Sequence, residues 1–443
     1  MGNTGGFPVS GPRRRRPSRC GMEGHRGSLG AWEIGHKVDF TAKDGATMRR
    51  LTYDLLVIGA GPGGSTAARY AAAAGCRTLL IEKRTEIGTP VRCGEGVAKA
   101  WLTEIGVPPS EAFIANSLDR ARVVAPDGSA FTVDERLAGN EVGYVLERDL
   151  FDRHLAMLAA QAGADIRVHC TATELLREDG RVVGARCIHM GEDLEVRAPI
   201  VIGADGFESQ VGRWAGLATP LKARDIEACL QYTLVGIEGD PTTAEFYLGS
   251  CAPGGYAWVF WKGAGIANVG LGANLSRLKD KAEVKGLLDR FIAANPRFAK
   301  GRILEEVAGA VSVSPPLEKT VADGLMLVGD AARLIDPVTG GGILNACLSG
   351  KYAGEVAAAA VAAKDFTAKS LGEYERRWRG RLEEGLHRNY LIKERLLKMD
   401  DATISLLIRA LSEFDLGHVT ALDVLQGLRK KHPELLAHFS GLV

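Results

Sequence analysis

From residue 54 the chain alternates apolar runs with turns in a pattern that specifies its elements. The run 54–58 is short, apolar and rich in β-branched residues, and it stops at Gly59. Residues 65–74 include six alanines, which suits a closely packed helix, and 77–81 form a second apolar run ending in Glu82. Farther on, Leu150, Phe151, Leu155 and Leu158 recur at helical spacing behind Asp149, the expected N-cap. Strands are expected at 165–169, 172–177, 181–189 (after an Asp179-Gly180 turn) and 194–202, before Gly203-Ala204-Asp205-Gly206 and a helix start at Ser209. Residues 226–314 hold further strand-like runs, including 257–261 and 267–271, as in a second, antiparallel sheet. A buried-type strand at 325–328 ends in Gly329-Asp330, and Gly340-Gly341-Gly342 leads into a helix. Beyond about residue 365, Ile404, Leu407, Ile408 and Leu411 keep helical spacing among many Lys and Arg.

The first strand, turn, helix and strand carry chemistry as well as shape. Gly59, Gly61 and Gly64 supply G-x-G-x-x-G where a strand must turn into a helix. The first glycine permits the tight turn, the second lets backbone approach a pyrophosphate, and the third lets helix lie close on strand. The free N–H groups at the helix start attract phosphate. Glu82, at the end of the next strand, is placed to accept hydrogen bonds from a ribose 2′-OH and would repel a 2′-phosphate. This motif does not separate NAD from FAD.

Composition narrows the class without changing the fold. A chain of 443 residues suggests two or three domains. With 46% hydrophobic and 25% charged residues it reads as a soluble globular protein, and a formal net charge of +1 gives no case for nucleic acid. No window reaches ~18 uninterrupted apolar residues, so no span is expected. The eight cysteines are scattered, without C-x-x-C or metal-ligand clustering, which fits reduced thiols in the cytoplasm and no metal. Residues 1–50 are rich in Gly, Pro and Ser with Arg13–Arg16 in a row, and are expected to form a disordered extension; Met48 stands where the ordered chain would begin.

The sequence resembles the geranylgeranyl reductase family, in its digeranylgeranylglycerophospholipid-reductase-like branch, and more broadly the para-hydroxybenzoate-hydroxylase-type flavoproteins. The resemblance is carried by the dinucleotide motif, GADG, VGDAA, IEKRTEIGTPVRCGEGV, ERDLFDRHL, PGGYAWVFWK and LVGDAARLIDPVTGGGI, and runs from about Tyr53 to the C-terminus. It implies an α/β fold in which an FAD-binding Rossmann-like domain (51–115, 143–222 and 308–363) is interleaved with an antiparallel-sheet substrate domain (116–142 and 223–307), with a helical region over 364–443. It further implies that Gly59, Gly61, Gly63 and Gly64 lie on the pyrophosphate of FAD, and that Glu82 holds the ribose. Cys93, Gly94 and Gly96 then border the flavin, Arg148 reaches the phosphate or ribityl side, Ala172 offers backbone to the adenine, and Asp330 bonds the ribityl or pyrophosphate region. Gly342 and Ile343 present N–H groups to the flavin pyrimidine edge, where a helix N-terminus stabilises the charge of the reduced ring. The family pattern has Pro where this chain has Trp261, between Phe260 and Lys262.

The activity so implied is saturation of geranylgeranyl C=C bonds by protonation and hydride transfer from reduced flavin. An isolated prenyl double bond has no carbonyl to polarise it, so the protein must supply an apolar tunnel, flavin placement and a proton. Tyr256, Trp258 and Phe260 are the expected tunnel residues, since aromatic faces also tolerate a transient cation. Cys93, Glu95 and a flavin-bound water are the alternative proton sources, which makes Cys93 and Glu95 the catalytic candidates. A menaquinone side-chain reductase and an FAD-dependent aromatic monooxygenase are the rival readings. The electron donor, a ferredoxin or NAD(P)H, is not specified by Glu82, which contacts FAD. Peripheral attachment to a membrane is expected through the basic C-terminal helices, for which a packed cap is the alternative.

Overall fold

In the computed structural model, the structure describes residues 39–43, 46–134, 142–280, 282–414, 431–432 and 435. Within them a six-stranded sheet carries the dinucleotide motif. Its order is Asp165–Arg167, Thr78–Ile81, Leu55–Ile58, Ile200–Gly203, Leu325–Leu327 and Val321–Ala322, with the last pair antiparallel and the others parallel. All four residues of Leu55–Ile58 are buried, because a parallel strand is covered on both faces and so reads as an unbroken apolar run. The helix Pro62–Ala73 starts earlier than its alanines suggest, with Pro62 in the first turn, where a missing N–H does no harm. It packs on the long helix Ile343–Ala363 at backbone distance. A Cβ on Gly350 would stand 2.2 Å from the Gly63 carbonyl oxygen, so nothing larger than glycine fits between them.

Segments 120–134 and 226–312 meet in one seven-stranded sheet, ordered Arg302–Ser312, Ile226–Val235, Ile266–Asn274, Tyr256–Gly263, Thr243–Tyr247, Arg120–Val124 and Ala130–Asp134. Its pairs are antiparallel except Thr243–Tyr247 with Arg120–Val124. The helices Ala368–Trp378, Glu384–Leu396 and Asp401–Ser412 follow the long helix. No helix among the described residues is long and apolar enough to cross a membrane.

Three expectations change. The run 194–202 divides into Glu192–Arg197, which belongs to a five-stranded sheet, and Ile200–Gly203, which enters the parallel sheet. Pro199 lies between them and has no N–H to continue either ladder. Within the extension expected to be disordered over 1–50, residues 39–43 and 46–50 are strands. Asp39–Lys43 and Ala46–Thr52 pair antiparallel, and the second runs parallel to Glu192–Arg197, an edge pairing to a segment far away in sequence that local composition does not signal. Residues 1–38 and 415–430 of the expected terminal regions lie outside the described residues. Finally, Asp149 is not the N-cap. The helix is Arg148–Gln161, with Glu147 at the cap position and Asp149 in the first turn. The first amide is taken from elsewhere, as Arg148 N–H donates to Glu95 Oε1 at 3.0 Å.

Candidate active site

The strand ends and the seven-stranded sheet enclose three adjoining chambers. The first, of 390 Å³, is walled by Gly59, Gly61, Glu82, Arg92, Ala172 and Gly206 among others. Glu82 is positioned by the loop it serves: it accepts from Ala60 N–H through Oε2 and from Arg84 N–H through Oε1, both at 3.0 Å. Spare lone pairs on the same oxygens remain for a ribose hydroxyl. A Cβ on Gly61 would meet nothing within 4 Å, because the position opens into the chamber, whereas one on Gly64 would lie 1.9 Å from the Gly59 carbonyl oxygen. Gly61 therefore leaves room for a ligand and Gly64 for the chain itself. The helix Pro62–Ala73 has no side-chain cap, so its first amides are left for an anion.

The middle chamber, of 320 Å³, shares Gly61, Arg92, Arg148, Asp152, Ala204 and Gly206 with the first. Gly63, Cys93, Gly94, Asp330, Gly342 and Ile343 lie on its wall. Arg148 is not a surface ion pair. Its guanidinium is 14% exposed and is held by both oxygens of Asp152, one helical turn on, at 3.0 Å each. Burial works against its charge, and Asp152 and Cys93 more than restore it. Asp152, which the sequence reading did not single out, was recoverable from its i,i+4 spacing. Asp330 has no side-chain hydrogen bond to any described residue; burial raises its carboxyl above the usual range and Arg148 draws it back in part. A carboxyl with no hydrogen-bond partner among the described residues facing the chamber, open space at Gly61 and uncapped helix starts at Pro62 and Ile343 fit FAD laid across the two chambers.

Behind Cys93 and Gly94 the loop is clamped. Glu95 has φ +77°, a left-handed backbone that disfavours a branched or long side chain, and it is 4% exposed. Its carboxylate lies off the chamber walls. Oε2 accepts from Lys262 Nζ and from Asn268 Nδ2, each at 2.7 Å, while Oε1 takes the Arg148 amide. Lys262 also reaches Glu147 at 2.6 Å, and Thr233 Oγ1 donates to Asn268 Oδ1 at 2.8 Å, fixing that amide's direction. Burial lowers the Lys262 pKa, and Glu95 and Glu147 outweigh it, so the ammonium is held above its ordinary value. Glu95 N–H donates to Cys93 Sγ at 3.2 Å, and Gln231 Nε2 to the Cys93 carbonyl at 3.3 Å. Gly96 sits apart from the chamber, in the short strand Gly96–Val97 beside Gly341–Asn345.

Strand alternation explains the aromatic motif. Tyr256, Trp258, Phe260 and Lys262 share one face of Tyr256–Gly263, toward the loop and the middle chamber; Ala257, Val259 and Trp261 take the other. Trp258 and Phe260 stack at 6.4 Å between centroids, Trp258 Nε1 donates to Gln231 at 2.8 Å, and Phe260 would touch a Cβ on Gly94 at 3.1 Å. Trp261, the departure from the family pattern, is fully buried over Gly239, away from the chambers. Tyr256 also borders the third chamber, a cavity of 770 Å³ between the sheet and the C-terminal helices, lined by Val123, Phe131, Val133, Phe246, Leu396 and Ile404 among others. Glu227, Tyr256 and Thr339 belong to both walls, and Tyr256 OH donates to the Thr339 carbonyl. Burial pushes the Glu227 carboxyl up to about 8, against a pull from Lys393.

Replacing Glu82 by Arg tests the nucleotide end. Glu82→Arg removes two amide acceptors and puts a donor where the ribose needs an acceptor. It is expected to lower bound FAD, read as flavin absorbance per protein, by at least roughly tenfold. Flavin content equal to wild type would show that Glu82 holds only the loop.

The chain matches two family models, an FAD-dependent oxidoreductase domain over residues 54–253 and a geranylgeranyl reductase catalytic domain over 225–311. Digeranylgeranylglycerophospholipid reductases of Thermoplasma volcanium and Thermoplasma acidophilum are 49% and 48% identical to it over 394 residues, 88% of this chain and 100% of each relative. A crystal structure of a geranylgeranyl bacteriochlorophyll reductase-like protein from Thermoplasma acidophilum superposes with TM-score 0.84 at 47% identity, covering 89% of this chain and 100% of that one. A p-nitrophenol 4-monooxygenase from Pseudomonas putida superposes with TM-score 0.64 at 17% identity, over 87% of this chain and 98% of its own, which shows a common fold and no more.

Proposed function

The chain belongs to the geranylgeranyl reductase family of FAD-dependent oxidoreductases, and from that premise we propose that it saturates the C=C bonds of geranylgeranyl chains carried by a membrane glycerolipid. The observation that carries the substrate class is the 770 Å³ apolar cavity joined to the middle chamber through Tyr256, Thr339 and Glu227. That volume lies within the ~300–1,000 Å³ usual for ligand pockets. Most of the exposed wall is aliphatic and aromatic, with charged groups such as Glu227, Arg277 and Lys398 at intervals, so its apolar stretch suits a hydrocarbon that must slide to present successive double bonds. An aromatic substrate of a monooxygenase would need no cavity beyond the middle chamber.

In this reading FAD, when bound across the first two chambers and reduced, would supply the hydride. The chain's own residues do the rest. Gly59, Gly61 and Gly63 give backbone to the pyrophosphate, Glu82 the ribose, and Asp330 with Arg148 the ribityl side. Gly342 and Ile343 place a helix N-terminus where negative charge collects. Cys93 and Gly94, pinned by Gln231 and the Glu95 clamp, wall the flavin side, and Trp258 and Phe260 exclude water from the reacting carbon. The lipid must leave a bilayer to enter, so the protein docks peripherally, with the C-terminal helices beside the cavity as the contact. The experiment is mass spectrometry of digeranylgeranyl glycerolipid after incubation with dithionite-reduced enzyme. Addition of two hydrogens per reduced bond is expected; an unchanged lipid mass with hydroxylated aromatic compounds formed under oxygen would favour the monooxygenase.

A further inference from the structure

A carboxyl group on the wall of an apolar cavity stays charged only if it is paired, and otherwise it stays neutral and keeps its proton. Glu227, near the start of Ile226–Val235, is 7% exposed and its carboxyl has no hydrogen-bond partner among the described residues. It stands on the wall common to the middle chamber and the apolar cavity. A Cβ on Gly272 or Gly255 would come within 3.0 and 3.2 Å of Oε2, so glycine at both positions leaves that oxygen its space. The groups facing it are Cys229 on its own strand, Tyr256 on the sheet, Arg277 from the turn after Ile266–Asn274 and Lys393 from Glu384–Leu396. Lys393 is the cation that pulls on it, and it is already shared between Glu394 at 2.8 Å and Asp225 at 3.8 Å.

We propose that Glu227 is the proton donor of the reduction, placed where a chain threaded from the apolar cavity first meets the middle chamber. This rests on the prenyl-reductase reading. The two π electrons of the double bond form the new C–H bond with the Glu227 carboxyl proton; the hydride supplied by the bound, reduced cofactor completes the neighbouring carbon; and Glu227, left as carboxylate, regains a proton from solvent. Its neutral form persists to about pH 8, where burial has moved it. Glu95 is less suited, because both its oxygens already accept from Lys262, Asn268 and the Arg148 amide. Cys93 remains a wall of the flavin side whose sulfur receives the Glu95 amide.

The test uses holoenzyme with digeranylgeranyl glycerolipid in detergent. Glu227→Gln keeps shape without a transferable proton, and is expected to lower kcat at least ~100-fold with flavin content and KM near wild type; Glu227→Asp is expected to retain part of the rate. Wild-type kcat should fall about tenfold per pH unit above about 8 as the donor ionises. Infrared spectra of wild-type holoenzyme should show a protonated-carboxyl band that disappears through the same pH range and changes frequency in Glu227→Asp, which separates it from the raised carboxyls of Asp330 and Asp152 and holds even if the Gln variant fails to hold flavin. A Gln variant within about threefold of wild-type kcat, or no such band in the wild type, would overturn the donor role while leaving lipid reduction by the wild type intact. A wild type that leaves the lipid unreduced while the band still titrates would overturn the prenyl-reductase reading, and the donor role with it.

Discussion

Lys262→Met is expected to destabilise the protein by about 3–5 kcal/mol and to strip most of its activity, because it removes the cation from a buried carboxylate. Glu95 is 4% exposed, and without Lys262 the partners left to its carboxylate among the described residues are the Asn268 amide and the Arg148 N–H. The same bonds hold residue 95 in its left-handed backbone, so their loss frees the segment that presents Cys93 and Gly94 to the flavin side. The effect should therefore appear twice, as a lower midpoint in urea and as weaker flavin retention. Adding Glu95→Gln should recover part of the stability, since a neutral amide no longer needs the ammonium. Equal stability of Lys262→Met and wild type would mean that the clamp contributes nothing and that residues 93–96 are fixed by Gln231 and the aromatic strand alone.

The glycine loop gives the second large effect, and a contrast within it separates ligand from fold. A methyl on Gly64 would stand 1.9 Å from the Gly59 carbonyl oxygen and 3.0 Å from Ala204 Cβ, so Gly64→Ala must push helix from strand. Overpacking of this kind costs about 1–3 kcal/mol or more, and here it also moves the phosphate-binding amides, so both the melting temperature and FAD content should fall. A methyl on Gly61 meets no protein atom within 4 Å. Gly61→Ala should melt like wild type apoprotein yet hold at least roughly tenfold less FAD, because its methyl occupies the approach of the pyrophosphate. A Gly61→Ala protein with full flavin content would place the pyrophosphate elsewhere.

What the sequence made legible is local. Gly59, Gly61, Gly64 and Glu82 announce themselves by spacing, Asp330 by its place after a strand, and the aromatic strand by alternation, and each lies on or behind a chamber wall. What was not legible depends on register between distant strands. Asn268 reaches Glu95 across 173 residues and Gln231 reaches Cys93 across 138. Lys262 could be read as part of a motif, but not as the cation of Glu95, 167 residues away. Glu227 looks in sequence like an ordinary charged strand residue, and only the cavity shared by the sheet and the C-terminal helices shows that it is shielded. The division of 194–202 and the pairing of Ala46–Thr52 are missed for the same reason, since the choice of sheet is made by partners and not by the strand's own residues.

The most direct measurement is anaerobic. Purified protein should carry non-covalent FAD in near-equal amount, and after photoreduction without oxygen the flavin should stay reduced until digeranylgeranyl glycerolipid is added, then reoxidise with one double bond saturated per flavin. A flavin that remains reduced in the presence of the lipid and reoxidises only when oxygen is admitted would contradict prenyl reduction.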